Sequence, residues 1–310
     1  MEIHYYFSGI GTFKDELLER AVLTCQHRLQ SCHAAYFKNA VKWCEVARKV
    51  GHKFDMMLDS GAFTAWTKGS EVNLEDLIKD YAFLIDNYSD VMNNVWLINL
   101  DKIPGSPGVT ATTKELEAAI KISDKNFAIL QRTFGNIVLP VFHQNETLDR
   151  LREVQAQSEY ICVSPRNDLP ENQRVLWSEE THAYLQGTKT HGLAATGQNM
   201  LARVPWHSVD SASWVFTGST GNIEIFIEDK LRMIATSSES PNRKEAKQHI
   251  NTVSDLERQM INQRLNDIGI TEEQVVNSHG HRMFVNLHEI TAWMERLKKP
   301  QYSTPGLFDL

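Results

Sequence analysis

Short apolar runs alternate along most of the chain with longer stretches whose apolar residues recur at helical spacing. Residues 3–8 form the first run, apolar and aromatic, closed by Gly9-Ile10-Gly11. Residues 14–50 read as helical, with Cys25, Leu29, Cys32, Phe37 and Val41 at roughly helical intervals. A second run, 54–58, ends at Asp59-Ser60-Gly61. Residues 74–87 predict an amphipathic helix, 94–100 a third strand ending in Asp101, and 113–133 a helix with Thr113, Glu115 and Glu117 near its start. Strands at 137–142 and 160–163 end in His143-Gln144-Asn145-Glu146 and Ser164-Pro165-Arg166-Asn167. After another helix, residues 189–197 and the run into Asp210-Ser211 continue the pattern.

Strands that alternate with helices and end in polar residues indicate a parallel α/β fold. Seven or eight such repeats over roughly 230 residues suit a (β/α)8 TIM barrel better than an open doubly wound sheet. No G-x-G-x-x-G follows the first strand, so Gly9-Ile10-Gly11 is weak support for a dinucleotide site. Past residue 218 the texture changes. Residues 223–227 and 231–235 predict a hairpin across Glu228-Asp229-Lys230, 237–242 a polar linker, and 243–299 charged helices. The expected organisation is a catalytic barrel over 1–236, a C-terminal helical segment over 237–300 and a tail over 301–310.

Composition narrows the partners. The formal net charge of −7 supplies no general basic field, so a nucleic-acid partner would need a local basic surface. Lys102, Arg166, Arg203 and the Arg243-Lys244 region are the candidates near the site motifs. Four cysteines without a CxxC pair indicate reduced thiols rather than a disulfide framework or a Cys-rich zinc site. No run is long enough to span a bilayer and the N-terminus lacks a signal-peptide pattern, which predicts a cytoplasmic protein without a membrane partner.

Asp59 and Asp210 each follow an apolar run and precede a serine, and Asp101 ends a third run. Any one of them could cap the following helix. Three at strand ends are better explained by clustering at the catalytic face of a barrel. Two carboxylates in a cleft support displacement at an anomeric carbon, one attacking C1′ and the other managing the proton. Glycoside hydrolysis and base exchange share that logic.

Leu58-Asp59-Ser60-Gly61-Ala62-Phe63 resembles the Asp-Ser-Gly-Gly-Phe signature of the tRNA-guanine transglycosylases, pentosyltransferases built on a (β/α)8 barrel. Thr190-His191-Gly192-Leu193-Ala194 resembles their Gly-Gly-Leu-Ala segment, and Asn99-Leu100-Asp101, Val141-Phe142-His143-Gln144 and Val209-Asp210-Ser211 follow in the family's order. The resemblance covers residues 53–215 as scattered short motifs. It implies that Asp210 is the nucleophile on C1′ and Asp59 the general acid/base. Asp101 and Gln144 would read the edge of the base, and Ser60, Gly61, Phe63, His143, Ser164, His191, Gly192 and Leu193 would complete the substrate site. A guanine edge wants a carboxylate accepting from N1–H and N2–H and an amide donating to O6.

Ala62 and His191 stand where the family has glycine, and the cysteines of its C-terminal zinc site are missing. No cofactor is therefore expected, unless zinc is held by His279, His281 and His288. These departures resemble the phage and bacterial transglycosylase-like branch, which inserts 7-deazaguanines such as preQ0 into DNA. The same exchange on tRNA, of queuosine or archaeosine type, is the alternative, and a nucleoside or glycoside hydrolase stands behind it. A base flipped from duplex DNA needs stacking walls, for which Phe63, Trp66, Phe142, Trp206 and Trp214 are candidates, as they are for core packing. The tail ending in Thr304-Pro305-Gly306-Leu307-Phe308-Asp309-Leu310 resembles sliding-clamp-binding peptides; a tail folded back on the barrel is the competing reading.

Overall fold

Eight strand–helix repeats follow one another in the computed structural model, which describes residues 3–106, 109, 111–185, 187–245 and 248–297. They begin with β1 (His4–Phe7), α1 (Asp15–Thr24), β2 (His27–Ser31), α2 (Phe37–Val50), β3 (Phe54–Asp59), α3 (Ala62–Thr67), α4 (Leu74–Tyr88), β4 (Met92–Ile98) and α5 (Thr113–Phe134). They continue with β5 (Val138–Leu139), β6 (Val141–His143), α6 (Leu148–Gln157), β7 (Tyr160–Ser164), α7 (Glu171–Tyr184), β8 (Lys189–Gly192), α8 (Gln198–Arg203), β9 (Ser208–Ser211) and α9 (Ser213–Ser219). β5 and β6 are one strand interrupted at Pro140, which has no N–H to give to a ladder. The fold is thus a (β/α)8 barrel. It is followed by the hairpin β10 (Asn222–Ile227) and β11 (Lys230–Ala235) and by α10 (Asp255–Asp267), α11 (Glu272–Asn277) and α12 (His279–Arg296). The tail over 301–310, with the expected clamp-docking peptide, lies outside the described residues. No described helix is long and apolar enough to cross a membrane.

The chain forms two compact units. Among the described residues, one comprises 3–4, 98–210 and 297, and in it β9, β8, β7 and β6 lie side by side in that order. β7 is buried throughout except at Ser164, as a parallel strand covered on both faces should be. Phe142, Leu201 and Trp206 fill the space between strands and helices.

The other unit comprises 5–97 and 211–296, with strand order β4, β3, β2, β1. Here one expectation fails. Residues 14–50 are not a single helical stretch, because β2 separates α1 from α2. Arg28 and Gln30 of β2 are buried, so the strand carries no apolar run. The Arg28 guanidinium donates to the carbonyls of Phe7, at 2.6 Å, and Gly9, and lies 4.1 Å over the Trp43 ring. Those partners offset the loss of hydration that a buried cation suffers.

The expected linker at 237–242 is also more than a spacer, since Ser240 is buried and donates to Asn222 Oδ1 at 2.8 Å. α12 completes the hairpin. Asn286 Oδ1 accepts from the Glu224 amide at 2.6 Å and the Glu289 carboxylate from the Phe226 amide at 2.9 Å. Side chains one helical turn apart thus satisfy an edge that would otherwise offer bare N–H groups.

Candidate functional site

The first unit gathers eight of the expected site residues: Asp101, His143, Gln144, Ser164, His191, Gly192, Leu193 and Asp210. Their placement follows from strand register. His143 pairs with Ser164, Val163 with Gly192, and Gly192 with Val209. Continued by one residue, His143, Ser164, Leu193 and Asp210 form a single row across the C-terminal ends of β6, β7, β8 and β9. Three strand spacings separate its ends, about 14 Å along the sheet. Barrel chemistry is found at this end of the strands.

Asp210 is buried, and its Oδ1 accepts from the Ala194 amide at 3.0 Å. Ala194 has a left-handed backbone, φ 51°, and its carbonyl takes a hydrogen bond from Arg174 at 3.0 Å. The turn that holds Asp210 is therefore fixed from both sides of one peptide segment. Gly192 is required by packing: a Cβ there would meet Ala195 at 2.8 Å and the Trp206 ring at 3.0 Å.

At the other end of the row, His143 Nε2 lies 2.8 Å from Asp101 Oδ2, with both side chains nearly buried. Burial opposes the imidazolium, but the hydrogen bond and charge of Asp101, with the charge of Glu146, outweigh it and raise the His143 pKa above its ordinary value. The His143 amide donates to Glu146 at 3.0 Å, and burial pushes the Glu146 carboxyl up. Gln144 Oε1 accepts from the Arg166 amide at 2.8 Å, which leaves the NH2 end of that side chain to donate elsewhere.

His191 is wholly buried. Its Nδ1 is 2.6 Å from Ser208 Oγ, its Nε2 is 3.5 Å from Asp210 Oδ1, and Ser208 Oγ is 2.5 Å from the Tyr160 hydroxyl. Sequence reasoning found His191 through its motif and missed Ser208 and Tyr160. Each is the first residue of its strand, β9 or β7, a position that carries no motif.

Asp59, Ser60, Gly61 and Phe63 belong to the second unit. Asp59 Oδ2 accepts from the Gly61 amide at 3.1 Å, and Ser60 is fully buried. Gly61 is left-handed, φ 79°, and a Cβ on it would stand 2.8 Å from the His33 side chain. The glycine thus answers to the turn and to His33. Phe63 is 51% exposed, tilted against Trp66 with ring centroids 5.9 Å apart. Phe142, Trp206 and Trp214, candidate stacking walls, are instead buried core side chains. Two candidate phosphate cations already have carboxylate partners, Arg166 with Asp168 and Arg203 with Glu179.

Among the described residues no group of three or more His, Cys, Asp or Glu could hold a metal ion. His279 and His281 line a cavity of about 540 Å³ together with Lys14 and Arg20. Burial, then the charges of Arg20 and Lys14, lower the His281 pKa. Two cations beside the imidazole oppose a third positive charge there, and His288 Nδ1 lies 3.4 Å from Glu289 Oε1.

No family model and no curated protein sequence matches the chain. Among solved structures it is similar to the catalytic domain of beta-amylase from Paenibacillus polymyxa, at 8% identity over 67% of this chain and 91% of that one, TM-score 0.43. It is also similar to the carboxyl transferase domain of Rhizobium etli pyruvate carboxylase, at 10% identity over 99% of this chain and 50% of that one, TM-score 0.39. Similarities of this size bear on neither activity nor substrate.

Proposed function

We propose that the chain is a pentosyltransferase that exchanges guanine in DNA for a 7-deazaguanine base of the preQ0 type. The observation that carries this reading is the row in the first unit. It has at one end a carboxylate with one oxygen already held, Asp210, and at the other His143, whose ring holds Asp101 and whose chain neighbour is Gln144.

In the proposed reaction Asp210 forms a bond to C1′ while the C1′–N9 bond breaks and its electron pair leaves on guanine. Asp59, in the role the resemblance implies, protonates that nitrogen. It then takes a proton from the incoming deazaguanine, whose N9 displaces Asp210 and restores the free carboxylate. Asp101, held by His143 at 2.8 Å, accepts from the N1–H and N2–H of either base. Gln144, its oxygen occupied by Arg166, donates to O6.

The test is mass spectrometry of nucleosides from DNA and tRNA of cells that express the protein and are supplied with 7-deazaguanines. Modified deoxyguanosine that disappears in Asp210→Ala is the expected result. Modification confined to tRNA would move the substrate to tRNA. Free guanine without incorporation would establish a hydrolase instead and refute the exchange.

A further inference from the structure

We propose that one-directional hydrogen bonds from Tyr160 to Ser208 and from Ser208 to His191 orient the His191 ring toward Asp210 Oδ1, positioning the carboxylate with Oδ2 left as the oxygen that attacks C1′. The inference rests on Asp210 being the nucleophile and adds Tyr160 and Ser208, which neither sequence motifs nor that reading assigns, and a positioning role for His191.

Three contacts link four residues: Tyr160 to Ser208 at 2.5 Å, Ser208 to His191 Nδ1 at 2.6 Å, and His191 Nε2 to Asp210 Oδ1 at 3.5 Å. Tyr160, Ser208 and His191 are nearly or wholly buried. Tyrosine, serine and neutral histidine each bring one proton to the chain. Each contact receives one proton only when all three donors point the same way. Pointing away from Asp210 would set the Nε2 lone pair against the carboxylate. Pointing toward it sets Nε2–H against Oδ1, the same oxygen that takes the Ala194 amide. The second wiring puts two donors on one oxygen of a carboxylate, and the first puts a donor and a lone pair on it. Tyr160 O–H therefore donates to Ser208, Ser208 O–H to His191 Nδ1, and His191 Nε2–H faces Asp210.

The spacing of 3.5 Å is long for a hydrogen bond, so His191 acts on Asp210 as an oriented dipole that fixes the carboxylate's rotation. None of the three residues touches the reacting atoms. They are positioning residues, and what they supply is a single presented oxygen.

The first measurement is the tautomer of His191 in the full chain without substrate. Two-bond ¹⁵N–¹H correlation on ¹⁵N-histidine-labelled protein reads it, with the resonance assigned by its loss in His191→Gln. The expected result is a ring protonated at Nε2 with a bare Nδ1. A ring protonated at Nδ1, or at both nitrogens, overturns the proposal. Ser208→Ala should let the tautomers mix and slow formation of the Asp210–glycosyl adduct about tenfold in single-turnover reactions, the effect of roughly one hydrogen bond. KM for the incoming base should stay unchanged, and Ser208→Thr should restore both readouts. Tyr160→Phe keeps the ring in the core and should give a smaller loss in the same direction. A Ser208→Ala chain with wild-type kinetics and an unchanged His191 signal overturns the relay. A wild-type chain that forms no adduct overturns the exchange reading alone, and the tautomer then decides the wiring by itself.

Discussion

Glu224 offers a test of the second unit that involves no substrate. It lies on β10 opposite Met233, and its Oε2 is buried with no hydrogen-bond partner. Burial alone pushes its carboxyl from the ordinary 4.5 up to about 7. Below pH 4.5 the group is protonated whether the chain is folded or not, and it costs nothing. Between 4.5 and about 7 the unfolded chain releases the proton while the folded chain keeps it, so stability falls as pH rises. Above about 7 the full cost is present. The gap of about 2.5 in pKa, at 1.36 kcal/mol for each, amounts to about 3 kcal/mol. Unfolding entropy near 2.1 cal/mol/K per residue, over 310 residues, converts that to about 5 °C in Tm. Glu224→Gln keeps the shape and removes the charge. Thermal melts should show the variant about 5 °C above wild type at pH 8 and level with it at pH 4. Comparing variant with wild type cancels every other carboxyl that titrates in this range. An equal difference at both pH values, or a larger one at pH 4, would refute the reasoning.

Gly61→Ala forces a side chain into a left-handed turn and against His33, and should lower stability by about 2 kcal/mol by denaturant midpoint, with a neutral result locating the turn's tolerance elsewhere. Burial raises the Glu289 carboxyl, but hydrogen bonds from His288, Arg264 and the Phe226 amide outweigh it and hold the pKa below its ordinary value. Its contribution is therefore present above the unfolded pKa near 4.5 and lost as pH falls through the lower folded value. Glu289→Gln should accordingly destabilise clearly at pH 7 and much less at pH 3, and a pH-independent loss would contradict that sign. Asp101 is the main support for the raised His143 pKa, so Asp101→Asn should shift the His143 titration, followed by NMR, to lower pH, and an unmoved midpoint would deny the pair.

Most repeats were legible because a buried parallel strand favours an apolar run, which β1, β3, β4, β5 with β6, and β7 supply; β8 (Lys-Thr-His-Gly) and β9 (Ser-Val-Asp-Ser) carry none and were legible only through their motif residues. β2 was not legible because its buried residues are polar: Arg28 finds its partners in the Phe7 and Gly9 carbonyls and the Trp43 indole, and Gln30 accepts from the Asn39 side chain. The same physics hid Ser208 and Tyr160, which satisfy each other across β9 and β7 and leave no periodic mark on either strand. Phe142, Trp206 and Trp214 read as possible site walls because an aromatic beside a motif has the same signature whether it faces a ligand or the core. Ser240, in a segment that reads as a linker, donates to Asn222, a contact that only the fold brings about.

Under the proposed function, the two acids of the first unit differ in who holds them. Asp101 is tied at 2.8 Å to an imidazole whose charged form it favours. A carboxylate so held is a good acceptor for the N–H edge of a base and a poor nucleophile. Asp210 is held through one oxygen by the Ala194 amide, a neutral donor that orients the group and neutralises none of its charge. His191 faces that same oxygen. In the proposed wiring the Ser208 hydroxyl donates to Nδ1 from the far side and the Tyr160 hydroxyl donates to Ser208, so that Nε2–H is the group that faces Asp210. The assignment of Asp210 to attack and Asp101 to recognition thus rests on the difference between the two histidines. Exchanging their surroundings, by Ser208→Asp at the far side of His191, should abolish adduct formation while base binding survives.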